Sequence, residues 1–192
     1  MYSLMPSEVR LKPFELGKNE SQFRSFPVAL KSTANAAESI SCLSNNGIGN
    51  AIVDVLVQTD DAFLTQHSLQ KGGMALIDEQ QAEALYTASG PGLETSGGSV
   101  ANTMVGIAQL GGRAGFIGRV KDDQLGGIFS HDIRAVGARF DTPTAITGAT
   151  TARCLIYVTP DAERTMCTFL GASTQLEPDD LDLSMVSDTK VL

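Results

Sequence analysis

Basic residues are scarce in this sequence. Fourteen Lys and Arg face twenty-two Asp and Glu over 192 residues, a formal net charge of −8, and no Lys/Arg-rich run occurs. A surface this short of cations is a poor match for phosphates, so a nucleic-acid partner is not expected. Cysteine is scarce too. Cys42, Cys154 and Cys167 make an odd number with no Cys-x-x-Cys, which argues against a disulfide framework or a structural zinc site and fits a reducing compartment. His67 and His131 lie far apart and outside any His-Glu-x-x-His pattern, and both read as ordinary surface or packing residues. No apolar stretch approaches the ~20 residues that a membrane span needs, so no membrane partner is expected. The N-terminus lacks the basic stretch and apolar run of a secretory leader. Residues 1–45 carry Glu8, Glu15, Glu20 and Glu38 beside their Lys and Arg, whereas transit peptides are poor in acids. The expected location is the cytoplasm, with an organellar address as the alternative.

Hydrophobic residues make up 42% of the chain and charged residues 19%, the balance of an ordinary globular domain. Composition changes near residue 46. Before it, Ser, Asn, Pro and isolated apolar residues show no sustained period, so residues 1–45 are expected to form a poorly ordered extension. After it, strand and helix signals alternate. Ile48–Val57, rich in Ile and Val, reads as one strand. Gly72-Gly73 is a turn before the short apolar run Met74–Ile77. Asp78 caps a helix over Glu79–Ala88, Pro91-Gly92 breaks the chain, and Gly97-Gly98 opens a helix from Ser99 to Leu110. Ala114–Ile117 reads as a buried strand. Asp122 and Asp123 open a helix whose Ile128, Phe129, Ile133 and Val136 keep helical spacing. Thr151–Val158 and Arg164–Leu170 read as a β-hairpin. Pro178 suits the first turn of a short helix that includes Leu181, Leu183 and Met185, and Lys190-Val191-Leu192 reads as the opening of a further strand. This alternation predicts an α/β fold around a mainly parallel sheet.

Two places can carry chemistry. In Ser96–Gly118 two glycines precede a helix whose first turn holds Asn102. Glycines let backbone approach a ligand, the helix start offers unpaired N–H groups, and Asn102 both donates and accepts. That suits a polyhydroxy compound; a Gly-rich turn with Asn as a local cap is the competing reading. The second place is Asp54, the lone charge in Ile48–Val57. A carboxylate there is costly to bury without partners. It either accepts hydrogen bonds from neighbouring sugar hydroxyls or simply occupies a solvated edge.

The segments GIGNAIVD, SGGSVANT, GGRAGFIGRVKDDQLG and TARCLIYVTPDAERTM resemble, in order and spacing, the N-terminal region of the PfkB (ribokinase-like) carbohydrate and nucleoside kinases. The resemblance covers about residues 46–192, and its wording is most similar to bacterial adenosine kinase-like members. It implies a ribokinase-like α/β fold with a small β-sheet lid that includes about 151–170 and strands near Val53–Val57 and Met74–Ile77. It also implies that Asp54, Gly97, Gly98 and Asn102 bind a sugar or nucleoside, and that the complete parent protein uses ATP and Mg²⁺ to phosphorylate a hydroxyl. For an adenosine-like acceptor, Phe116, Phe169 and Leu155 are available as walls, ordinary core packing being the alternative for each.

The sequence departs from the family pattern in places. Val100 stands where a small residue is usual, Met104 where Ser, Thr or Ala is usual, and Lys121 where Gly is common. Ser41-Cys42-Leu43-Ser44-Asn45-Asn46 replaces the expected apolar start of the first strand. The family's Asp-Thr-x-Gly-Ala-Gly-Asp element, which supplies the anion hole and the general base, does not occur, nor does a Gly-x-x-x-x-Gly-Lys-Ser/Thr loop. The expectation is therefore an incomplete form of the fold, lacking its C-terminal part, with no catalytic residue of its own and no activity alone. Self-association through the lid or an exposed sheet edge is expected. A non-catalytic binding or regulatory remnant is the first alternative. A dinucleotide-binding module is the second, opposed by Ile52 at the third glycine position of Gly47-Ile48-Gly49 and by the glycines preceding the strand.

Overall fold

A computed structural model describes residues 44–187 and 189–192, so the extension expected over 1–45 falls almost wholly outside the described residues. Strand β1 (Ser44–Ile48) lies parallel to β5 (Arg113–Ile117). Asn45 bridges Val191, and Gly115 bridges Arg139, both in parallel sense. The run expected to open a strand at residues 190–192 thus lies beside β1. Asn46 explains how a polar strand start is tolerated. It is 8% exposed, and its side-chain amide donates to the Met185 carbonyl (2.7 Å) and to Thr189 Oγ1 (2.6 Å). A buried amide with its donors satisfied costs little.

The single strand expected over Ile48–Val57 is two strands in two sheets. The chain turns at residues 49–51, and β2 (Ile52–Gln58) enters a second sheet. Helix α1 (Asp61–Gln66) follows, capped by Asp60. Next come β3 (Met74–Leu76) and α2 (Glu79–Ala88), the latter held by a reciprocal capping box between Asp78 and Gln81. Strand β4 (Leu93–Gly97) leads into α3 (Ser99–Gln109). After β5, α4 (Gln124–Ala135) is capped by Asp123. The hairpin appears as β6 (Ala152–Val158) and β7 (Arg164–Phe169). The expected terminal helix is divided into a 3-10 turn at Pro178–Asp180 and a short α5 (Leu183–Ser187). Another 3-10 turn spans Gly171–Gln175.

The second sheet has five strands in the order β3-β7-β6-β2-β4. Its two faces differ in the way alternation requires. Val53, Val55, Val57, Leu155 and Tyr157 are buried on one face. Helices α1 and α2 cover that face: Phe63 of α1 lies 5.0 Å from the Tyr157 ring, and Arg153 stacks over Tyr86 of α2 and pairs with Glu83 at 2.8 Å. The other face carries Asp54, Leu56, Met166 and Met74, and no described helix covers it. Phe116 of β5, Phe129 of α4 and Phe140 just after that helix form an aromatic cluster with ring centroids 5.4–5.9 Å apart.

Candidate functional site

The Asp54-bearing face of the second sheet, on which Cys154, Ile156 and Thr168 are buried, meets the start of α3 at Gly97-Gly98. Asp54 projects from β2, opposite Thr95 of β4 and Cys154 of β6. A Cβ at Gly97 would lie 2.3 Å from Asp54 Oδ2, so the carboxylate occupies the space a side chain there would need. A Cβ at Gly98 would lie 2.7 Å from the Asn50 carbonyl, and Gly98 has φ +94°, a conformation that favours glycine. Both glycines are needed for β4 to turn into α3 this close to β2. Gly98 is the N-cap of α3 and supplies no side-chain cap, which leaves first-turn N–H groups facing the junction.

Asp54 makes no hydrogen bond or ion pair with a described residue. Burial pushes its carboxyl above the ordinary value of 3.8. Of the residues singled out from sequence, Asp54, Gly97 and Gly98 are brought together. Asn102 stands one helical turn into α3, exposed, with its backbone N–H on the Gly98 carbonyl. Asn50, exposed in the turn between β1 and β2, adjoins Gly98 and was not singled out. Its signal was present in GIGNAIVD, four residues before Asp54.

Val100, where a small residue was expected, does not crowd the junction. Cβ atoms at Gly47 of β1 and Gly49 of the following turn would lie 2.4 and 2.9 Å from its side chain, so those glycines make room for it. Phe116 and Leu155 are fully buried in the core rather than walls of a cleft. Phe169 is half-buried and in register with Arg153, on the helix-covered side.

The apolar groups that do face the site come from register. One row crosses the sheet as Thr95, Asp54, Cys154, Thr168 and Leu76, and the next as Leu93, Leu56, Ile156, Met166 and Met74. Side chains directly opposite in neighbouring strands share a face. Thr168 Oγ1 lies 3.2 Å from Cys154 Sγ. Burial, and to a lesser degree the Asp54 charge, pushes the Cys154 thiol above its ordinary value. At the β3 end, a cleft of about 350 Å³ is lined by Leu76, Ile77, Thr168, Phe169 and Gln175, among others.

No group of three His, Cys, Asp or Glu able to hold a metal ion occurs among the described residues. The donors at the junction are backbone N–H groups and an Asn, and its one carboxylate is paired with no cation. That set fits hydroxyl groups and does not by itself build a metal or nucleotide site, so no residue here is assigned to ATP or Mg²⁺. Among the described residues no helix is long and apolar enough to cross a membrane.

A small five-stranded sheet joined to a parallel β1–β5 pair flanked by helices is a ribokinase-like arrangement. The family model for pfkB family carbohydrate kinases matches residues 81–192, and the chain belongs to that family. The adenosine kinase from Sinorhizobium meliloti is 49% identical, with a TM-score of 0.69 over 77% of this chain and 45% of its own. A probable sugar kinase from Rhizobium etli CFN 42 is 46% identical, with a TM-score of 0.70 over 78% of this chain and 46% of its own. Among curated proteins, probable fructokinase-4 of Arabidopsis thaliana is 34% identical over 128 residues, which are 62% of this chain and 38% of that protein. The chain therefore spans less than half the length of these relatives.

Proposed function

We propose that this chain is the acceptor-binding part of an ATP-dependent kinase that phosphorylates a hydroxyl of a sugar or nucleoside. The observation that carries the proposal is Asp54: a half-buried carboxylate without a partner among the described residues, packed against Gly97 at the uncapped start of α3. Two vicinal hydroxyls suit it, each donating to one carboxylate oxygen while the α3 N–H groups and Asn102 serve the remaining lone pairs. Gly98 fixes the turn and Asn50 closes its other side.

Phosphoryl transfer needs a base for the acceptor hydroxyl and charge stabilisation around the moving phosphate. The Asp-Thr-x-Gly-Ala-Gly-Asp element that supplies both in the family is absent from these 192 residues. In this proposal the complete protein supplies it, together with the sites for ATP and Mg²⁺, and this chain alone holds the acceptor without phosphorylating it.

Isothermal titration of the 192-residue chain with D-fructose and adenosine, paired with an ATP-dependent phosphorylation assay, tests both halves. Binding of at least one acceptor is expected, weakened at least about tenfold by Asp54→Asn and by Gly97→Ala, with no product formed. Product from the purified chain would overturn the inactive part, and undiminished binding by both variants would overturn the site. Among the described residues the outer edge of β3 has no partner strand, and Met74 and Leu76 upon it are 69% and 68% exposed. Self-association through that edge belongs to the proposal; a single monomeric species at every concentration in sedimentation would remove it.

A further inference from the structure

Strand β4 lies at one edge of the five-stranded sheet. It pairs with β2 on one side, and among the described residues its other side has no partner strand. An edge leaves backbone N–H groups without a ladder bond. One of them, at Ser96, donates to Asp132 Oδ2 of α4 at 2.9 Å. Asp132 occupies a row of α4 that otherwise packs: Ile128 and Val136, one turn to either side, are partly buried against the core. A carboxylate in that row is costly unless it gains a hydrogen bond, and the Ser96 N–H is that bond. Ser96 stands directly before Gly97, and its other neighbour, Thr95, is the residue opposite Asp54. The core helix thus grips the sheet at the last residue before the glycine pair.

We infer that Asp132 is a positioning residue for the acceptor site, acting through the Ser96 N–H on Gly97 and Gly98 without touching the acceptor. The inference rests on the proposed reading of Asp54 and extends it to a residue outside the junction. The junction has no slack inward. A Cβ at Gly97 would stand 2.3 Å from Asp54 Oδ2, and one at Gly98 would stand 2.7 Å from the Asn50 carbonyl, so the chain here already lies against β2 and the turn before it. The pairing of β4 with β2 ends at Gly97, opposite Ile52, so the ladder holds least where the turn into α3 begins. Between that ladder on one side and Asp132 on the other, the Ser96 peptide has one orientation. Without the carboxylate, the Ser96 N–H turns to water and tilts its peptide. Gly97 then moves off Asp54, and the first N–H groups of α3 move with Gly98. A binding constellation tolerates only about 0.5 Å of such drift.

The test is titration of the full 192-residue chain and of single variants with D-fructose and with adenosine, the urea stability of each variant being measured beside it. Asp132→Ala should weaken acceptor binding about tenfold, the scale of a lost hydrogen bond to a charged group. Asp132→Asn keeps an oxygen acceptor of the same reach and should bind within about threefold of the native chain. Asp132→Glu keeps the charge but carries it one methylene further, and should bind as weakly as the alanine variant; it is the deciding variant if Asp132→Ala does not fold. Asp78→Ala removes a cap that serves α2, and should lower stability while leaving binding unchanged. The positioning role is overturned if Asp132→Ala, or Asp132→Glu in its place, binds as the native chain does, or if Asp132→Asn is no better than they are. It is overturned as well if Asp78→Ala weakens binding as much, which makes general stability the cause. Failure of the underlying reading shows differently: the native chain binds neither compound, or Asp54→Asn binds as tightly as the native chain. Then the acceptor site lies elsewhere and the positioning role falls with it.

Discussion

Asp54, the residue proposed to hold the acceptor, carries a cost for the fold around it. Burial raises its pKa in the folded chain above the ordinary value of 3.8. Between those two values the folded state holds a proton that the unfolded chain has released, so stability falls as pH rises through that window and stays lower above it. At pH 7 the charge opposes folding. Asp54→Asn should therefore melt at a higher temperature than the native chain at pH 7, with the difference shrinking to nothing as the pH drops below about 3.8. Calorimetry across a pH series checks it; a variant less stable at pH 7 would show that the carboxylate has a stabilising partner. A lone Asp in an apolar run was legible in the sequence. Its contact with Gly97 was not, because β2 and β4 lie far apart in the chain and only their pairing brings the two together. Asn50 was passed over because a polar residue between two strands reads as an ordinary turn.

The elements divide according to where their signals lie. Helices α2 and α4 were legible from Asp78 and Asp123, since a cap is a local hydrogen bond. Strand β4 was not: Leu93–Gly97 lacks a run of β-branched residues, and pairing with β2 imposes its conformation. The division of Ile48–Val57 between two sheets was also invisible, because an apolar run looks the same on either side of a turn. The two caps differ in a measurable way. Asp78 is exposed and serves α2 alone. Asp123 accepts from Gly126 N at 2.8 Å and from both the N–H and the hydroxyl of Thr151, at 2.9 and 2.7 Å. Thr151 is fully buried and stands directly before β6. Asp123 thus ties the core helix to the strand that carries Cys154. Asp78→Ala should cost about 1 kcal/mol, the usual value of a cap. Asp123→Ala should cost about 2–4 kcal/mol, because it also strands the buried Thr151 groups. Urea denaturation compares the two, and equal losses would refute the shared clamp.

At the scale of the whole molecule, the chain crosses between the two sheets at few points: residues 49–51, Gly97-Gly98, the approach to β6 at Thr151, and the exit from β7 at Gly171. Gly98 and Gly171 have φ of +94° and +44°, whereas Thr151 is clamped by Asp123. The acceptor proposed for Asp54 touches the small sheet through β2 and the core through the start of α3, so it joins the two bodies where the covalent links are thinnest. Fastening two such bodies reduces the local openings through which amides exchange. Hydrogen exchange with and without a saturating acceptor should therefore show added protection in β2, in the residues around Gly97-Gly98, and in β6. Helix α5, which carries none of the residues proposed for the site, should change little. Protection spread evenly over the chain would indicate general stabilisation by a ligand bound elsewhere. Protection confined to α3 would mean that the acceptor rests on the core alone, and that the small sheet takes no part in covering it.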